Sequence, residues 1–124
     1  MLDCLVEVNM GSEISKGGVA PEEVAEFIRS MEEYPHIRVR GLMSVLPNLG
    51  EGRELDGMYK KLLSLYESTA SLSTANYRAE ILSAGMSGDY KTALRYGSNM
   101  IRLGRTLFGE RIYPAAVISD GAAQ

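Results

Sequence analysis

The chain has 124 residues, of which 45% are apolar and 23% charged, enough for one domain with a buried core and against disorder. Its formal net charge of −3 supplies no basic field for a nucleic-acid backbone or an anionic membrane surface. A single Cys (Cys4) and a single His (His36) exclude an internal disulfide framework and a multi-histidine zinc site.

Met1–Asn9 (MLDCLVEVN) interleaves β-favouring and polar residues and runs into the turn-formers GSEISKGG, so a strand followed by a loop is expected. Cys4 alternates within that strand and is expected to be buried and inert. Pro21 suits a first helical position, and Glu22 and Glu23 lie where the helix dipole favours anions. Val24, Phe27, Ile28 and Met31 then fall at helical spacing. His36–Leu46 reads as a second strand, with Ile37, Val39, Gly41 and Met43 alternating against Arg38, Arg40 and Leu42. About Arg53–Leu72 is a second helix, its Leu, Met and Tyr residues recurring at three- and four-residue steps.

Arg78–Ser83 is a short third strand, cut off by AGMSGD. Asp89 or Ser87 suits the cap of a third helix, DYKTALRY, which stops at Gly97. Asn99–Leu103 reads as a fourth strand, broken by Gly104. The segment from Ile112 turns small and polar, as a loose tail does. No apolar run approaches the ~20 residues of a membrane span. The N-terminus lacks a signal-peptide pattern, so a cytoplasmic protein is expected.

Strands alternating with crossover-length helices imply an α/β fold with four parallel strands, in a doubly wound sheet or a (β/α) barrel. In both, ligands gather at the carboxyl ends of strands, which selects the loops Gly11–Gly18, Pro47–Gly52, Ala84–Asp89 and Gly104–Thr106. AGMSGD and LGRT are the two informative ones. Glycines let backbone N–H groups converge on a ligand, and Ser87 or Thr106 adds a hydroxyl donor. Two such loops after consecutive strands are one way to hold a phosphate; singly, each is as well explained by a tight turn. Arg102, two residues before Gly104, is either an outward strand residue or a donor beside that phosphate. Lys16 reads as a solvated loop lysine, and Glu13 and Asn9 as turn residues or ligand-orienting groups. His36 precedes a strand on the side away from the expected site. No catalytic triad, carboxylate dyad or metal-ligand spacing is present in the sequence.

VEVNMGSEISKGGV, RVRGLMSVLP and LSAGMSGDYKTALRYGSNMIRLGRTLFGER, in that order, resemble the pyridoxal-phosphate homeostasis proteins (the YggS/PROSC family). The blocks cover the chain to about Arg111. The resemblance implies the fold of the alanine racemase N-terminal domain, a (β/α)8 barrel of TIM type that carries pyridoxal 5'-phosphate (PLP). It further implies that Ser87 supplies a hydroxyl, and Gly104 and Arg105 backbone N–H groups, to the cofactor phosphate. Arg102 would approach the pyridine nitrogen, keeping it unprotonated and weakening the cofactor as an electron sink. With Met86, Asn9 and Met43 these form the candidate cofactor-binding set, with no catalytic residue and no metal. Arg105 stands where the family often has Thr, which exchanges a hydroxyl contact for a guanidinium.

The family's Schiff-base lysine lies on the first barrel strand, and no matching segment occurs in this sequence. The expectation is therefore a truncated form: residues 1–111 as the C-terminal half of the barrel, 112–124 as a tail, and PLP held noncovalently. A carrier role is expected rather than catalysis. Such a half leaves two parallel edges and an apolar inner face exposed. Two alternatives follow. One is a split or remnant half-barrel acting by association with itself or with an N-terminal half. The other is an unrelated phosphate-binding (β/α) enzyme using Glu13 or Lys16.

Overall fold

The alternation of short apolar segments with turn-formers resolves into three strand–helix units in a computed structural model that describes residues 1–11, 17–47, 52–72 and 74–104. Strand β1 is Leu2–Glu7. A 3-10 turn at Pro21–Glu23 leads into helix α1, Val24–Ser30, and Met31–Glu33 forms a second 3-10 turn after it. Pro21 takes the first position, where its missing N–H costs nothing. Strand β2 is Ile37–Ser44, helix α2 Arg53–Thr69, strand β3 Tyr77–Ala84 and helix α3 Tyr90–Arg95. Both strand pairs are parallel, in the order β1-β2-β3. An α/β fold with parallel strands is thus observed, with three strands among the described residues.

The core lies between the sheet and its helices. Val6, Val8, Val39, Leu42, Tyr77 and Leu82 pack in one cluster with Val24 and Ile28 of α1 and Leu55, Tyr59 and Leu62 of α2. Each such fully buried side chain is worth roughly 1.5–3 kcal/mol. Phe27, expected on the same stripe, is 39% exposed. Cys4 is only half-buried, its thiol near the Leu2 carbonyl at 4.0 Å. No described helix is long and apolar enough to cross a membrane.

The fourth strand is reduced to a single parallel bridge between Ser83 and Met100. Backbone bonds accompany it, Ala84 N–H donating to Met100 O and Asn99 N–H to Leu82 O, each at 3.0 Å, and side chains supplement them. The Asn99 carboxamide accepts from Leu82 N–H at 2.9 Å and donates to Glu80 O at 3.0 Å. Buried Ser98 donates to Ala84 O at 2.7 Å and lies within 3.3 Å of the Ala84 N–H. The backbone groups of β3 are thus satisfied partly by the segment's own backbone and partly by its side chains.

The expected alternation in β2 fails at its centre. Cys4 pairs with Val39 but Val6 with Leu42, so β2 carries one extra residue, and its register against β3 also breaks between Val39 and Gly41. A bulge shifts every later side chain to the other face. Leu42, expected opposite Val39, joins Val39 in the core at 0% exposure, and Met43 turns to the other face, half-buried. Glycine is required here: Gly41 has φ +151°, and a Cβ would lie 1.8 Å from the Ile81 carbonyl oxygen.

The sheet face away from the helices carries charge where an apolar surface was expected. Arg38 forms a two-pronged pair with Asp3 at 2.7 and 3.2 Å. Arg40 bridges Asp3 at 3.5 Å and Glu80 at 3.1 Å, so one ladder of ion pairs crosses all three strands. The Arg38 guanidinium holds the Asp3 carboxyl below its ordinary range. The reason is chain order: acidic and basic residues on neighbouring strands fall in register at Asp3↔Arg38.

Candidate functional site

The carboxyl ends of the three strands converge with the 98–102 segment. Val8 N–H donates to Met43 O at 2.8 Å, and the buried Ser44 hydroxyl donates to Val8 O at 2.7 Å. Beyond Val8, Asn9 N–H donates to Val19 O at 2.9 Å, and Glu7, Val8, Asn9, Gly17 and Val45 line a shallow depression there. Arg102 reaches this end from the other side. Its N–H donates to Gly85 O at 2.8 Å, and its Nη2 donates to Ser44 O at 2.8 Å. The Arg102 Nε is buried and has no hydrogen-bond partner. A buried guanidinium N–H without an acceptor is costly, so this atom is a waiting donor.

The turn after β3 is built tightly. Gly85 has φ +106°, and a Cβ there would lie 2.7 Å from the Ala93 Cβ, so α3 sits directly on it. Met86 O accepts from the N–H groups of Asp89 at 3.1 Å and Tyr90 at 2.8 Å. Asp89 stands at the cap position of α3, yet its carboxylate does not cap the helix. Its Oδ1 accepts from Met86 N–H at 2.8 Å and its Oδ2 from the Tyr59 hydroxyl at 2.7 Å. Burial, reinforced by the Asp89 carboxylate, pushes the Tyr59 phenol well above its ordinary range. Its ring stacks on Tyr96, with centroids 6.4 Å apart.

Of the candidate set, Arg102, Met43 and Asn9 are therefore tied to one end of the sheet through Ser44 and Val8. Met86 and Ser87 occupy the adjoining turn, Met86 exposed and Ser87 half-buried. Gly104 is exposed and has no atom within 4 Å of where a Cβ would sit. Arg105 and Thr106, the Glu13 and Lys16 of the first loop, positions 48–51 of the second and the tail lie outside the described residues. No group of three or more metal-ligating side chains occurs among the described residues.

Sequence reading missed three contributors. Ser44 sits in an apolar run and carries no motif. Tyr59 reads in the sequence as one more core position of an amphipathic helix. Asp89 reads in the sequence as a helix cap, whereas its carboxylate bonds the turn before the helix and the helix behind it. Only the meeting of α2 with the turn after β3 reveals the last two.

Known proteins share this arrangement of strands. The pyridoxal phosphate homeostasis protein of Haemophilus influenzae is 34% identical over 112 residues, 90% of this chain and 47% of its own length. The protein of the same name from Aquifex aeolicus is 38% identical over 111 residues, 90% of this chain and 48% of its own. The chain thus spans about half the length of the curated relatives it matches. The structure of PipY from Synechococcus elongatus without PLP superposes with a TM-score of 0.75 at 25% identity, over 86% of this chain and 49% of PipY. PipY with PLP bound shares the fold at a TM-score of 0.69 and 23% identity, over 87% of this chain and 50% of PipY. The alanine racemase N-terminal domain matches residues 1–112, where all three strands and the 98–102 segment lie, and the chain belongs to that family.

Proposed function

We propose that this chain binds PLP noncovalently, as a carrier rather than a catalyst, at the carboxyl ends of its strands. The observation that carries the reading is the orphaned Arg102 Nε, buried beside the ends of β2 and β3. The group fits: a pyridine nitrogen is an acceptor, and a guanidinium N–H offered to it stays a donor at every physiological pH. In the same reading the Ser87 hydroxyl and the backbone N–H groups of Gly104 and Arg105 hold the phosphate. Asn9, Met43 and Met86 border the ring. When bound, PLP supplies a reactive aldehyde and a conjugated ring. The chain's own residues bind it, orient it and leave its ring nitrogen unprotonated.

The names of the Haemophilus and Aquifex relatives and the PLP bound to PipY support the ligand. We take residues 1–111 as part of a (β/α)8 barrel, its C-terminal half, with 112–124 as a tail, and assign it to the reducing cytosol that an unpaired Cys4 suits. The test is titration of the full chain with PLP, followed by borohydride reduction and intact-mass measurement. Saturable binding with no mass increment is expected. A reduced adduct on a lysine overturns the noncovalent mode, and absence of binding overturns the ligand.

A second reading is association with another copy or an N-terminal half. It is favoured by the β1 edge, where Met1 and Leu2 are 78% and 65% exposed. Sedimentation of the purified chain decides for self-association: a monomer across the micromolar range removes it.

A further inference from the structure

We propose that Tyr59 is a positioning residue for the turn at Met86–Gly88, setting affinity for the phosphate of the ligand while leaving recognition of its ring untouched. This rests on the reading of that turn as part of a PLP phosphate site.

A carboxylate beside a phosphate-binding turn is a liability, because two anions repel in a partly buried setting. Both oxygens of Asp89 are engaged. Oδ1 accepts from Met86 N–H at 2.8 Å, and Oδ2 from the Tyr59 hydroxyl at 2.7 Å. The Tyr59 hydroxyl therefore fixes the carboxylate away from the ligand and keeps Oδ1 on the Met86 amide. With Met86 O accepting from Asp89 and Tyr90 N–H, the turn is bonded at both its amide and its carbonyl.

Tyr59 is well placed to act as a fixed point. It is 2% exposed, on the 17-residue helix α2, and its ring is parallel to that of Tyr96 within 7°. It thus touches the chain on both sides of α3, at Asp89 and at Tyr96. The phenol remains protonated throughout the neutral range, so it is a permanent donor. Phenylalanine at this position keeps the ring, the stack and the burial, and removes only the bond to Asp89.

The full-length chain is titrated with PLP and, separately, with pyridoxal, which has the same ring and no phosphate. Tyr59→Phe is expected to weaken PLP about tenfold, the effect of losing one hydrogen bond to a charged group, with pyridoxal within about twofold of wild type. A ligand-free readout accompanies it: exchange of the Met86 amide, followed by NMR, accelerates in Tyr59→Phe relative to the amides of β2. Equal weakening of both ligands, or unchanged Met86 exchange, overturns the inference. Asp89→Ala removes the acceptor that the Tyr59 hydroxyl holds and serves as the second variant, with the same expected split, should Tyr59→Phe fail to fold. A wild-type chain that binds neither ligand, or binds both equally, overturns the phosphate reading together with this inference. Normal wild-type preference for PLP, unchanged in both variants, overturns this inference alone.

Discussion

Arg102 Nη2 donates to the Ser44 carbonyl oxygen at 2.8 Å, fastening the 98–102 segment across the end of β2 while leaving its own Nε without an acceptor. The same guanidinium is thus half structural and half available. Arg102→Met keeps the aliphatic stem and removes both donors. Its PLP affinity is expected to fall about ten- to a hundredfold, since a hydrogen bond from a charged group is worth about 1.5–3 kcal/mol. Fluorescence titration measures this, and affinity within twofold of wild type removes Arg102 from the site.

Gly41 governs which residues face the core. Its φ of +151° and the 1.8 Å approach of an added Cβ to Ile81 O leave no room for a side chain. Gly41→Ala therefore has to open the β2–β3 pairing, at a cost of about 3 kcal/mol or more. Urea unfolding compares it with Gly57→Ala, where nothing lies within 4 Å of an added Cβ. Equal midpoints for the two variants contradict this account of the bulge.

The Asn99 side chain supplements the backbone bonds between its segment and β3, and its removal is local. Asn99→Ala leaves Leu82 N–H and Glu80 O without their side-chain partner, for an expected loss of about 1–3 kcal/mol. Hydrogen exchange at the Leu82 amide reports it directly. Faster exchange there, with β1 amides unchanged, is the expected pattern; uniform acceleration points to global destabilisation instead.

Three phenols tie stability to alkaline pH. Burial raises Tyr59, Tyr66 and Tyr77 above the ordinary value near 10. In the unfolded chain these groups ionise near pH 10, while the folded chain keeps them protonated. Their contribution is therefore complete below pH 10 and is lost as pH rises above it. Phenolate absorbance and circular dichroism followed together are expected to show buried Tyr59 and Tyr77 ionising only as the fold is lost. Ionisation of all seven tyrosines near pH 10 with the fold intact refutes it.

Helical stripes and short β-rich segments were legible in the sequence because they are local. Val24 and Ile28 recur at the helical step and both are fully buried, and Pro21 opens its turn as its fixed φ dictates. The glycine-rich turns after the strands were legible for the same reason, and so was the family, through residues that stand in order along the chain. Met43, Leu42 and Phe27 were less so. Each depends on a bulge or on helix packing that periodicity does not encode.

By itself, then, the sequence determined the succession of the first three strand–helix units, their parallel arrangement and the turns where a phosphate-bearing ligand is sought. Only the tertiary structure decided that Leu42 and not Met43 enters the core, that Ser98 and Asn99 bond β3 through their side chains, and that Tyr59 holds Asp89. Propensity and periodicity act between residues a few positions apart. These outcomes rest on single hydrogen bonds and close contacts between groups up to 58 positions apart, as from Arg102 to Ser44, and no local pattern reports such a contact before the chain has folded.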